Sequence, residues 1–184
     1  ALSKIAQESI VRFYDEMSDK IYGIIRMGTV LGEGMPPETA ASIFIKRGLR
    51  EEPITPFRHS MHRPMLYVDV RDICKAYEIY ASIILNGECR KGENSLAHIV
   101  NVCYPQPITI LDVAEIVRKA IIKCTNGKVR PEVEILDKGI PPLFKEDDKN
   151  RIRVSIDKAK KLLGLETPRS PEESLTEIIT WQLQ

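Results

Sequence analysis

Apolar residues fall at Leu2, Ile5, Ala6, Ile10, Phe13 and Met17, a spacing that puts them on one face of a helix over Leu2–Met17. The pattern then changes, because Ile21 to Leu31 is nearly all apolar and does not alternate. Read as a strand over residues 21–30, such a run is buried on both faces, as in a parallel sheet covered by helices. Gly32, Gly34, Pro36 and Pro37 end it in a loop. Helical spacing returns from Glu38 to Leu49, and Pro53 to Phe57 is a short extended piece. Pro64 to Val68 is a second strand, running into a helix from Val70 to about Leu85, and His98 to Val102 is a third. Thr109 opens the next helix, with Asp112 completing a capping box and Leu111, Ala114, Val117 and Ile121 as the buried stripe. Val133 to Ile135 is a short strand, and Ile140 to Asn150 a polar, proline-marked loop. Ser155 to Leu163 is a short helix closed by Gly164, and Ser170-Pro171-Glu172-Glu173 caps the last helix.

These elements conflict in one respect. A doubly buried strand at residues 21–30 needs neighbours on both sides, yet few other strands here are of that kind. The expectation is therefore a fragment of a larger sheet, with apolar surface left beside the Tyr22 strand or covered by a second copy. Chain length suits one domain, at 184 residues, and the formal net charge of +1 gives no reason to expect nucleic acid or an acidic membrane as partner. No apolar run approaches the ~20 residues of a membrane span. Cys74, Cys89, Cys103 and Cys124 lack C-x-x-C spacing and read as buried, reduced thiols of a cytoplasmic protein.

Arg58, His59, His62 and Arg63 form a cationic cluster, and guanidinium forks match the oxygens of a diphosphate. Against this stands the plain reading of a basic surface loop, which is the better one for Arg58 and the two histidines. His59-x-x-His62 has no third ligand nearby, so no metal site is expected. Gly32-x-Gly34 is a turn, since a phosphate-cradling fingerprint needs further glycines after the first strand of its unit.

Several segments, in order along the chain, resemble the C-terminal half of the extended short-chain dehydrogenases, the NAD-dependent epimerase/dehydratase family. Ala1-Leu2-Ser3-Lys4-Ile5-Ala6-Gln7-Glu8 is similar to the residues that follow the tyrosine of Y-x-x-x-K, with Lys4 as the motif lysine. Tyr22-Gly23-Ile24-Ile25-Arg26 through Gly32 resembles the strand and turn that come next. Arg63 to Val70 resembles R-x-x-x-x-V-x-D, and Asn101-Val102 with Ile108 to Asp112 resembles N-V-G … I-T-x-x-E. Asp157 to Gly164 and Ser170 to Trp181 resemble the family's ending.

The resemblance implies an α/β fold: the C-terminal part of a Rossmann domain, about residues 1–34 and 64–103, interleaved with a small substrate-binding domain, about 35–63 and 104–184. It implies an NAD-dependent enzyme, with NADP not excluded, acting on a nucleotide-sugar by transient hydride transfer. A homodimer is the implied assembly. Lys4 would hold the cofactor ribose and lower the tyrosine's pKa, as a fixed ammonium beside a phenol does. Arg63 would contact the nucleotide diphosphate, and Phe57 would wall the base. Thr29, on cofactor and substrate alike, stands where the family often has asparagine. Lys145 stands where a second diphosphate arginine is usual, and it replaces the charge but not the bidentate fork. A reductase of the same superfamily, or a non-catalytic relative that binds a nucleotide or a protein, is the alternative. Without a glycine fingerprint or the tyrosine, these residues alone are expected to be inactive.

Overall fold

The computed structural model describes residues 2–89, 91–92 and 94–184; Ala1, the first residue of the Lys4 motif, lies outside them. Helix α1 spans Leu2–Met17, as its periodicity predicts. The long apolar run becomes two strands, β1 (Ile24–Met27) and β2 (Thr29–Leu31), separated at Gly28. After α2 (Ala40–Leu49) come β3 (Pro64–Met65), β4 (Tyr67–Asp69) and α3 (Val70–Leu85). A 3-10 turn at Ser95–His98 leads into β5 (Ile99–Val102), so His98 closes a turn rather than opening the strand. β6 (Ile108–Thr109), α4 (Ile110–Cys124), α5 (Asp157–Leu163) and α6 (Pro171–Gln182) complete the order. The polar stretch before α5 contains a 3-10 turn at Glu146–Arg151.

β1 pairs in parallel with β5, Ile24 opposite Ile99, and β2 pairs in parallel with β4, Thr29 opposite Tyr67. β3 and β6 pair antiparallel. Gly28 is where the chain changes partner: its N–H donates to the Val102 carbonyl, while the next N–H, of Thr29, donates to the Leu66 carbonyl. A side chain at Gly28 would meet the Leu66 carbonyl oxygen at 2.7 Å, so only glycine lets the two strands approach. The parallel sheet expected at residues 21–30 is thus present, but the double burial is not. Ile24 and Ile25 are half-buried and Arg26 and Met27 exposed, because among the described residues β1 has a neighbour on one edge only.

Two apolar clusters share the β2–β4 pair. One gathers α2, α4 and α6 around Leu31, Ile54 and Tyr67. The other gathers Val68, Ile73, Ala76, Tyr80, Val100 and Val102 with Ala159 and Leu163 of α5. The period-two alternation of a strand sends Tyr67 and Leu31 into the first cluster and Val68 and Val30 into the second. Capping boxes start α4 (Thr109 with Asp112) and α6 (Ser170 with Glu173), and Gly164 in the left-handed conformation ends α5. In α4 the buried stripe is Val113, Ala114, Val117, Ala120 and Ile121, with Leu111 only half-buried.

The expected apolar surface beside the Tyr22 strand is present, whereas the expected burial of the cysteines is not. Leu2, Ile5, Ile10, Phe13 and Met17 of α1 are exposed, so the apolar stripe faces outward beside the exposed Tyr22. Of the four free cysteines only Cys103 is buried; Cys74 is exposed, because the inward face of α3 runs through Ile73, Ala76 and Tyr80. The strand expected at Val133–Ile135 reduces to isolated parallel bridges, Ile54 with Val133 and Phe57 with Leu136.

Candidate functional site

Parallel strands followed by helices gather ligands at their carboxyl ends. Here β1 ends at Met27, two residues before Thr29, β4 ends on Asp69, and β5 ends on Val102. A cavity of about 680 Å³ runs along β1 between α1 and α3, lined by Lys4, Gln7, Glu8, Val11, Ile24 to Met27, Tyr77, Tyr80 and Ile84. Lys4 is exposed there, and among the described residues its ammonium donates to the Gln7 side-chain oxygen alone, at 3.1 Å. Glu8, one turn on, holds Arg26 of β1 (2.8 Å, Nε to Oε2), and that guanidinium keeps the carboxyl below its usual range against the smaller effect of burial.

The other residues gather elsewhere. Phe57 is exposed and stacks on His59, ring centroids 5.6 Å apart and 12° between planes, with the Lys138 ammonium 5.7 Å from its centroid. Arg58 pairs with Asp137 at 2.8 Å, which agrees with its reading as a surface residue. The Leu143 N–H donates to the His59 carbonyl at 2.8 Å, bringing the segment that carries Lys145 against the segment of Phe57 and Arg63. Lys145 is exposed, with its backbone N–H on the Asp148 carboxylate. Arg63 is exposed and makes no ion pair among the described residues. Its charge reaches Tyr67, whose hydroxyl is pushed up to about 12, chiefly by burial, with Arg63 opposing. Thr29, half-buried, sits opposite Tyr67 in register. The structure therefore brings Phe57, Arg63 and Lys145 onto two adjoining segments and puts Lys4 in the α1–β1 cavity, with Thr29 on β2, opposite Tyr67.

Two buried polar clusters escaped the sequence. Asp69 caps α3, accepts from Arg71 at 2.8 Å through both Nε and Nη2, and takes the Ser174 hydroxyl of α6 at 2.7 Å. Burial pushes this carboxyl up, but the Arg71 and Ser174 hydrogen bonds outweigh it and hold it at about 2. Asp15 of α1 accepts from the Tyr22 N–H and from His98 Nδ1, both at 2.8 Å, with Lys91 3.4 Å away. The only warning in the sequence is an aspartate flanked on its helix by Phe13, Tyr14 and Met17.

The whole chain superposes on solved structures of sugar-nucleotide enzymes. UDP-glucuronic acid 4-epimerase of Bacillus cereus, in complex with UDP-glucuronic acid and NAD, matches with TM-score 0.67 and 20% identity over 100% of this chain and 52% of that one. The chain has the fold of the C-terminal part of these enzymes. UDP-glucose 4-epimerase of Thermotoga maritima, with UDP-glucose, matches at TM-score 0.67 and 22% identity over 100% and 53% of the two chains. dTDP-glucose 4,6-dehydratase of Bacillus anthracis, in complex with NAD, matches at TM-score 0.68 and 15% identity over 96% and 49%. This chain spans about half the length of each. No family model matches the sequence, and a search of curated proteins finds no match. Among the described residues, no helix is long and apolar enough to cross a membrane and no group of three or more His, Cys, Asp or Glu residues could hold a metal ion.

Proposed function

We propose that this chain is the substrate-binding part of an NAD- or NADP-dependent nucleotide-sugar epimerase or dehydratase that works by transient hydride transfer. In this reading, residues about 1–34 and 64–103 belong to the dinucleotide-binding domain, and about 35–63 and 104–184 to the substrate domain. The observation that carries it is Arg63: an exposed guanidinium without a carboxylate partner among the described residues, on the segment that adjoins that of Lys145. A planar fork and an ammonium on adjoining segments suit a diphosphate, which offers several anionic oxygens. Phe57, half-open and already stacked, offers an apolar wall to the base, and Thr29 a hydroxyl between the diphosphate side and the cofactor side.

Lys4 fits the role of holding a ribose hydroxyl, since it lines the β1 cavity and its ammonium has, among the described residues, one neutral partner. The dinucleotide, when bound, would supply the hydride acceptor, and Lys4 would hold its ribose and lower the pKa of a phenol set beside it. The exposed stripe of α1 supports a homodimer, and free thiols suit a cytoplasmic setting.

Calorimetric titration of the chain with UDP, UDP-glucose, UDP-glucuronic acid and dTDP-glucose tests the reading. Arg63→Ala should weaken binding of the preferred ligand roughly tenfold to a hundredfold, the equivalent of about 1.5–3 kcal/mol for a charge-assisted contact. Equal affinity of parent and variant for every ligand would overturn it.

A further inference from the structure

Lys4 rides on a helix that buries almost nothing apolar. Asp15 is the single buried residue of α1, and the apolar side chains from Leu2 to Met17 are mostly exposed. Along β1 the helix stands off from α3 across the cavity that Lys4 itself lines. What fastens α1 is polar and concentrated at its C-terminal end. The Asp15 carboxylate accepts the Tyr22 N–H at the entrance to β1 and His98 Nδ1 at the entrance to β5. Lys91 approaches the same carboxylate and also donates to the Asp15 and Lys20 carbonyls. Nearby, Arg12 and Glu16 both bond the Ser95 hydroxyl, Arg12 at 3.0 Å. Tyr80 closes the far side, donating to the His98 carbonyl at 2.6 Å, and Cys89 lies close enough to be felt electrostatically by Tyr80. Higher on the helix, among the described residues, the partly exposed Glu8–Arg26 pair is the one ion pair that ties α1 to β1, and such pairs hold weakly.

We propose that Asp15 is a positioning residue for Lys4: the buried carboxylate fixes the foot of α1 against the starts of β1 and β5, and thereby sets where the ammonium stands at the carboxyl end of β1. The proposal rests on the reading of Lys4 given above. At 1.5 Å per residue, Lys4 stands about 16 Å up the axis from Asp15, so a tilt of about 10° at the foot swings it by about 3 Å. Displacements of that order suffice to misplace a group that must meet a hydroxyl within hydrogen-bond reach. An apolar contact would tolerate sliding; three donors converging on one carboxylate do not, which is why a charge rather than a leucine serves at this point.

The test needs no ligand, so it is separable from the nucleotide-sugar reading. A nitroxide is placed at Met27→Cys, in protein whose Cys74, Cys89 and Cys124 are serine, and broadening of the Lys4 amide is read by NMR alongside hydrogen exchange. In the parent the Lys4 signal should be broadened. In Asp15→Asn the broadening should weaken measurably and α1 amides should exchange about tenfold faster, while α4 and α6 amides keep their protection. Lys91→Met, which removes the charge facing Asp15 from outside, should move Lys4 in the same direction and serves alone if Asp15→Asn does not fold. Unchanged broadening in the folded variants overturns the proposal, and so does equal loosening of α1, α4 and α6, which would make Asp15 an ordinary part of the core.

Discussion

Asp69→Ala should destabilise the protein by about 3 kcal/mol at neutral pH, and the loss should shrink in acid. Removing the side chain deletes the cap of α3, worth about 1 kcal/mol, and leaves the buried Ser174 hydroxyl without its acceptor, worth about 1–3 kcal/mol. Arg71 loses one anion but keeps Glu177 and is half-exposed, so it adds little. The depressed carboxyl gives a second figure for the same contacts. A carboxyl ordinarily at 3.8 and held at about 2 contributes about 2.5 kcal/mol once both states are ionised. Because the folded value is depressed, this stability is present above the unfolded pKa and is lost as pH falls toward the folded one. By pH 3 roughly half of it remains, so the gap between parent and variant should narrow by about 1 kcal/mol from its value at pH 7. Urea unfolding at the two pH values reads this directly. A gap below about 1 kcal/mol at pH 7, or one that does not change with pH, would refute the assignment of Asp69 as the ionised pin between α3 and α6.

Gly28→Ala should cost about 1–3 kcal/mol, read from the urea midpoint, because its methyl would press on the backbone of Leu66 and Tyr67 rather than on a movable side chain. Leu175→Ala, in the fully buried contact of α6 with the first cluster, should cost about 2–5 kcal/mol by the same assay. Arg26→Gln should shift stability by less than about 1 kcal/mol, since its partnership with Glu8 is half-exposed, and a larger loss would mean that α1 is held from its middle.

The helices were legible because their signals are local: Thr109 with Asp112 and Ser170 with Glu173 sit in the chain as capping boxes and are found as such. The parallel character of residues 21–30 was legible from unbroken apolarity, but the break was not. Gly28 reads as one more small residue until Leu66 is beside it, and only a tertiary contact brings it there. The α1 stripe was legible as one face, and its exposure followed from the incomplete sheet rather than from the spacing, because periodicity says which residues share a face and nothing about what covers it. At the candidate site, the sequence supplied the residue types, while the separation of Lys4 from Phe57, Arg63 and Lys145 depends on segments distant in the chain. Asp15 and Asp69 were opaque for the same reason, since their partners His98 and Ser174 lie 83 and 105 positions away.

The β2–β4 pair, which turns Tyr67 and Leu31 one way and Val68 and Val30 the other, makes the two apolar clusters tenants of a common wall. Neither can melt without stripping one side of that wall and exposing the strands on which the other depends. The molecule should therefore unfold as a single cooperative unit, with fluorescence of Trp181 on α6 and far-ultraviolet dichroism falling together. A protease that cuts between the clusters should release no folded half. Local loosening is then confined to parts outside the wall, α1 foremost among them, and mobility near Lys4 can coexist with a rigid frame under Arg63.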